Sequence, residues 1–156
     1  MTGNSEDFKE LFKLYSKDVQ NYAHSILKNK DDAKDAVQEV FLRYIKTHEY
    51  YRGECSMKTW LLVLTRNYCF KRLNGKANFL DSIDEVTEPS NQEKISLKIT
   101  VDEALDRLKP DEYEIVYLKD YAGYSYNEIS EIMGISLDNV KVKLFRVRQK
   151  LKNYLQ

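Results

Sequence analysis

Apolar residues recur along most of this chain at steps of three and four, the period of one-faced helices, so it is expected to build helices. Phe8, Leu11, Phe12, Tyr15, Val19, Tyr22, Ala23 and Ile26 trace one face of a long first helix. "NKDD" interrupts it, with Asp31 or Asp32 placed to cap a second helix that buries Ala33, Val37, Val40, Phe41 and Tyr44. Asp35, Gln38, Glu39 and Leu42 are then left together on its outward side. Ser56 opens a third helix, "SMKTWLLVLTRNYCFKRLN", apolar nearly all round and so expected to pack on more than one side. The period disappears between 74 and about 98, where Gly75, Pro89, Ser and Asn collect with a net negative charge. Helices resume beyond it, broken at Lys109-Pro110, Gly123 and Gly134. The expected fold is all-α: two small helical domains, 1–74 and 100–156, joined by a flexible acidic linker over 75–99.

Charge is distributed as unevenly as the apolar residues are regular. Of 25 basic and 25 acidic side chains, residues 101–139 hold 3 and 10, whereas residues 140–156 hold 6 and 0. A patch of one sign acts locally, because salt screens it beyond roughly 10 Å. The cations at the C-terminal end therefore form a local feature that the overall balance conceals.

That end also has a recognisable local architecture. Ser125 with Glu128 three residues on makes a capping-box pattern, Ile129, Ile132 and Met133 give the short helix one buried face, and Gly134 ends it. Ser136 can cap the next helix. Helix, turn, then a long basic helix is the helix-turn-helix order. On the second helix Leu137, Val140, Leu144, Val147, Leu151 and Leu155 form the inward stripe. Lys141, Val142, Lys143, Phe145 and Arg146 fall off it, and apolar groups between cations suit a DNA groove, where cations meet phosphates and apolar groups meet thymine methyls. A basic helix end that merely complements its own dipole would account for the charge but not for Val142 and Phe145.

The stretch "ALDRLKPDEYEIVYLKDYAGYSYNEISEIMGISLDNVKVKLFRVRQKL" resembles the promoter-recognition domain of bacterial sigma factors of the extracytoplasmic-function (ECF) group. "DDAKDAVQEVFLRYIK" and "YYRGECSMKTWLLVLTRNYCFKRLN" resemble the core-polymerase-binding and minus-10-recognition segments of the same group, in the right order. The resemblance implies a transcription initiation factor and not an enzyme. Its partners would be core RNA polymerase, promoter DNA and an anti-sigma factor, and it would need no cofactor. Lys141, Val142, Lys143, Phe145 and Arg146 would read the minus-35 duplex; Val142 stands where a small hydroxyl residue is common and cannot donate the hydrogen bond that a hydroxyl would. Asp35, Gln38 and Glu39 would meet the polymerase. The single-stranded minus-10 element would lie against Tyr51, Arg52, Gly53, Lys58, Trp60, Arg66, Asn67 and Lys71, with the extruded base near the 51–54 loop and Asn67.

The residues of the third helix fit that role on their own terms. Trp60, Asn67 and Lys71 fall at steps of seven and four, so a ring, an amide and an ammonium share one stripe, a combination that suits an unpaired strand. Housekeeping relatives carry two aromatic wedges where this chain has Trp60 and then Leu61, which implies weaker strand opening. The main alternative is a helix-turn-helix regulator that acts without polymerase, and the Asp35, Gln38, Glu39 face together with the basic third helix argues against it. His24, His48, Cys55 and Cys69 lack the close-paired spacing of a zinc site, and the cysteines read as reduced, structural thiols. The opening "MTGNSEDFKELF" is unlike a signal peptide, and no run approaches the roughly 18 apolar residues of a membrane span, so a cytoplasmic protein without membrane insertion is expected.

Overall fold

The computed structural model describes the backbone of residues 3–83 and 99–156 and the side chains of 7–75 and 99–156. Helix α1 spans Gly3–Leu27 and α2 spans Lys30–Thr47, with a 3-10 turn at His48–Tyr50 and α3 over Met57–Ile83. The C-terminal unit comprises α4 (Val101–Asp106), α5 (Pro110–Val116) running into a π turn at Tyr117–Tyr121, α6 (Tyr126–Met133) and α7 (Leu137–Leu155). No strand occurs among the described residues, and no helix of them is long and apolar enough to cross a membrane.

Capping explains most of the boundaries. The turn into α2 is made by Lys28 in the left-handed region and by Asn29, whose side chain accepts from the Asp32 amide at 2.9 Å. Asn29 is thus the cap in place of either aspartate, because it is the residue in extended geometry just before the first turn. Ser56 caps α3 through the Thr59 amide at 3.1 Å. Helix α3 then continues through Gly75 to Ile83, so residues 75–83 of the expected linker are helical. Beyond Ile83 that linker lies outside the described residues. In the C-terminal unit Thr100 with Glu103 and Ser125 with Glu128 form reciprocal capping boxes, and Ser136 accepts from the Asn139 amide at 3.1 Å. Gly134 closes α6 at φ 70°, while Ser130 ties the turn by donating to the Ile135 carbonyl at 2.6 Å.

Two apolar clusters fill the interior. The smaller joins Val19, Val37, Val40, Phe41 and Leu61 of α1, α2 and α3. The larger runs without interruption from Tyr22, Ile26, Leu62 and Cys69 of the N-terminal unit into Ile115, Leu118, Ile129, Val140 and Leu144 of the C-terminal unit. The two units are therefore packed together, α6 against α3 and α5 against α1. This explains why α3 is apolar around its whole circumference: Leu61 serves one cluster and Leu62 the other. On α7 the inward stripe holds through Val147 and, partly buried, Leu151, but Leu155 is 40% exposed and Tyr154 packs instead, beneath Arg107.

Gly134 carries a testable consequence. A Cβ built there meets nothing within 4 Å, so substitution costs only the left-handed backbone, about 1–2 kcal/mol. Gly134→Ala should lower the thermal midpoint by about 2–8 °C, read by circular dichroism, and an unchanged midpoint would mean that the turn relaxes.

Candidate nucleic-acid interface

Helix α7 presents a mixed face. Val142 is 45% and Phe145 65% exposed, with Lys141 and Arg146 beside them. Asn139, Val142 and Arg146 share a groove with Asp111, Glu112 and Ile135, so Asn139 joins the face although the charge pattern did not single it out. Lys143 behaves differently. Its ammonium sits 2.5 Å from Asp111 of α5. Arg148 likewise pairs with Asp120 at 2.6 Å and Lys150 with Glu112 at 3.0 Å. The acid-rich segment thus folds back on the flank of the basic helix and neutralises it there. Lys141 and Arg146 have no ion pair among the described residues, which concentrates the free positive charge beside Val142 and Phe145. Burial works against the Asp111 carboxylate, but the hydrogen bond and charge of Lys143 outweigh it and hold the group below the ordinary carboxylate range.

The residues of α3 and the preceding loop divide into two sets. Tyr50, Tyr51, Arg52, Glu54, Cys55 and Trp60 line a cleft of about 280 Å³. Gly53 makes its turn at φ 75°, and the Tyr51 hydroxyl donates to the Cys55 carbonyl to hold the loop closed. The Trp60 ring lies 5.2 Å from Tyr51 and 6.1 Å from Tyr44, half-buried, so it anchors the loop as well as lining the cleft. Asn67 and Lys71, further along α3, are exposed. Leu61 is 0% exposed inside the N-terminal cluster, so the position after Trp60 is a core position here and has no access to a strand.

Lys58 and Arg66 face the other way, toward the C-terminal unit. Lys58 pairs loosely with Asp18 at 3.7 Å and lies 4.9 Å from the centre of the Tyr124 ring. Arg66 grips Glu114 of α5 with two bonds, Nε to Oε2 at 2.7 Å and Nη2 to Oε1 at 3.2 Å. The Tyr22 hydroxyl donates to the same carboxylate. Glu114 is 0% exposed, and burial raises its pKa, a rise that Arg66 and Tyr22 oppose. Sequence reasoning missed this residue, although Glu114, Tyr117, Leu118 and Tyr121 stand at helical spacing and so put an acid in an aromatic and apolar stripe. Arg72, in a stretch with no acid between residues 56 and 73, is held by Asp32 at 2.7 Å and Asp35 at 3.6 Å.

On α2 the exposed side carries Asp35 and Gln38, with Glu39 half-buried and bonded to Arg43 at 3.3 Å. Leu42 and Ile45 extend that face, 50% and 48% exposed. Both cysteines are free, and burial pushes the Cys69 thiol up to about 12.

Residues 11–78 match the family described as Sigma-70 region 2, and residues 98–151 match Sigma-70, region 4. Among curated proteins, the ECF RNA polymerase sigma factor SigM of Bacillus subtilis is 32% identical, with 92% of this chain and 91% of that one covered. The RNA polymerase sigma factor YlaC of the same organism is 26% identical over 94% of this chain and 91% of that protein. Among solved structures, the sigma factor RpoE from Bartonella quintana, in complex with the anti-sigma factor NepR, superposes with a TM-score of 0.74 at 24% identity, covering 96% of this chain and 97% of that one.

The division of α7 into free and tethered cations predicts unequal effects on a DNA duplex obtained by selection for binding. Arg146→Ala should weaken binding by about 1–3 kcal/mol, and Lys141→Ala should make the salt dependence shallower by about one unit of slope. Arg148→Ala, whose partner is Asp120, should change little. Fluorescence anisotropy across a salt series measures all three, and equal losses at Arg146 and Arg148 would erase the distinction.

Proposed function

The chain belongs to the ECF group of sigma-70 RNA polymerase sigma factors, and from that membership we propose how its surfaces divide the work of starting transcription. It is an initiation factor and not an enzyme: it binds core RNA polymerase and directs it to promoters. The region 2 match over residues 11–78 is what disfavours a helix-turn-helix regulator working alone.

In this reading α7 enters the major groove of the minus-35 element. Lys141 and Arg146 supply free charge, Val142 and Phe145 supply apolar contact, and Lys143 is steered by Asp111. The single observation that carries the assignment is the exposed Val142 and Phe145 between unpaired cations on a capped second helix. The cleft of Tyr51, Arg52, Gly53 and Trp60 receives an extruded minus-10 base, and Asn67 and Lys71 follow the strand along α3. Lys58 and Arg66 belong to the same basic helix and complete this surface once they are uncovered. Asp35, Gln38 and Glu39, extended by Leu42 and Ile45, form the polymerase face, an acidic and amide rim beside an apolar patch. The relative from Bartonella quintana was solved with an anti-sigma factor, and a protein of that kind is the partner we assign for keeping this chain inactive. Its place of action is the cytoplasm, where promoters and polymerase are.

Charge reversal tests the polymerase face. Asp35 and Glu39 make only exposed or half-exposed pairs, with Arg72 and Arg43, worth about 0–1 kcal/mol each. The double variant Asp35→Lys, Glu39→Lys should therefore keep its helical circular dichroism while losing roughly tenfold or more in affinity for core polymerase. A folded double variant that binds core normally would remove α2 from the interface. For the minus-10 surface, Asn67→Ala should lower transcription even from a template whose minus-10 region is already unpaired, because the exposed amide reads bases and does not melt them. Full activity on that bubble would exclude Asn67 from recognition.

A further inference from the structure

We propose that Asp111, Glu112 and Asp120 are specificity-determining residues of the duplex reader: by occupying cations on both edges of its face, they fix the roll angle at which α7 binds DNA. This rests on the reading of α7 as the minus-35 helix. It adds to that reading three acids that touch no base and act through the side chains they hold.

Helical rotation shows where the pairs stand. At about 100° per residue, Val140, Leu144 and Val147 turn to the core, and Asn139, Lys141, Val142, Phe145 and Arg146 fall on the far side. Lys143 and Lys150, seven residues apart, lie at one edge of that face, and Arg148 lies at the other edge, near Lys141. Each edge has its acid. Asp111 holds Lys143 at 2.5 Å and Glu112 holds Lys150 at 3.0 Å on one side, while Asp120 holds Arg148 at 2.6 Å on the other. Asp111 and Glu112 also line the groove that contains Asn139, Val142 and Arg146, so their carboxylates mark its margin.

A cation on a helix can meet a phosphate in many orientations, and such contacts carry no sequence information. With Lys143, Lys150 and Arg148 free, positive charge would wrap most of the exposed circumference of α7. The helix could then lie on a duplex at many roll angles, of which only one sets Val142 and Phe145 against base edges. A paired cation reaches a phosphate only by giving up its carboxylate, which is left beside the DNA and repels it. Docking at a wrong angle therefore loses more than docking at the reading angle, and that difference is specificity. The three pairs are partly exposed and add little to stability, so their effect falls on discrimination.

The experiment measures the full chain by fluorescence anisotropy on two duplexes, one obtained by selection for binding and one a scramble of it, each across a salt series. The triple variant Asp111→Asn, Glu112→Gln, Asp120→Asn keeps the side-chain shapes, and the amide at 112 can still accept from the Lys109 N–H at the start of α5. It should bind the scrambled duplex more tightly, with a salt dependence steeper by about three units of slope. Its preference for the selected duplex should fall roughly tenfold. Asp102→Asn removes an acid from α4 that has no ion pair among the described residues, and should change neither quantity. Asp120→Asn alone should steepen the slope by about one unit. Adding Arg148→Gln to it removes the freed cation and should restore the wild-type slope and preference, which a purely structural role for Asp120 would not do. If the triple variant loses its helical circular dichroism, these two variants carry the test, since Asp120 and Arg148 are both exposed. Equal tightening on both duplexes, or an unchanged slope in a folded variant, overturns the proposal. Arg146→Ala separates the two levels of the argument in the same assay. If it leaves the preference intact, the reading of α7 falls; if it weakens the selected duplex while the acid variants change nothing, only the role of the acids falls.

Discussion

Helix α3 has no side that is free of obligations, and the arrangement of the rest of the molecule answers to that. Leu61 belongs to the cluster with Val19, Val40 and Phe41, while Leu62 and Cys69 belong to the cluster shared with α5, α6 and α7. Between these two buried edges lies the exposed line of Asn67 and Lys71, and on the covered edge sits Arg66. A single polar residue from the partner unit, Glu114, makes burial of that arginine tolerable. Removing either member alone would strand a charge in a dry contact, whereas separating the units returns both to water. The polar core of the interface is therefore compatible with two states of the chain, docked and apart, in a way that an all-leucine contact would not be.

The same logic resolves the imbalance of charge along the chain. Ten acids precede six cations with none between, yet the folded C-terminal unit is not a dipole of two opposed patches. Asp111, Glu112 and Asp120 lie against the flank of α7 and bind Lys143, Lys150 and Arg148. This orders long side chains that would otherwise be mobile and subtracts their charge from the non-specific attraction to any polyanion. Of the three cations without an ion pair among the described residues, Lys152 lies in the last turn, while Lys141 and Arg146 stand next to the apolar groups that can distinguish bases. A helix with all six cations free would bind DNA more tightly and less selectively, since phosphate contacts carry no sequence information.

Much of this was legible in the residues. Local chemistry marks Ser56, Ser125 with Glu128, Gly134 and Ser136, because a cap or a left-handed turn is decided by a few neighbouring atoms. The inward stripe of α7 as far as Val147 follows from period alone. Contacts between distant segments are what escaped. Asn29 won the cap from Asp31 and Asp32 through backbone geometry that no side-chain ranking fixes. Leu61 was set beside the second wedge of housekeeping relatives by the family pattern alone, yet one residue of helical rotation from Trp60 carries it into the core. Lys58 and Arg66 were grouped with Asn67 and Lys71 by composition, although their angles around α3 point them at a second unit. The packing of the two units left two traces, the apolar circumference of α3 and the acid at Glu114 among Tyr117, Leu118 and Tyr121, and neither names the segment that supplies the partner.

Two weak readers on one chain bind well only when both can engage at once, and the gain then depends on how closely their separation matches the span of the sites. In this chain the two candidate readers stand on units that pack together, α6 on α3 and α5 on α1, so that contact sets their separation. The contact engages two cations of α3: Arg66 is held by Glu114, and Lys58 lies near the ring of Tyr124. Asn67 and Lys71 are left outside that contact, so the C-terminal unit covers one part of the polar surface of α3 and leaves the other open.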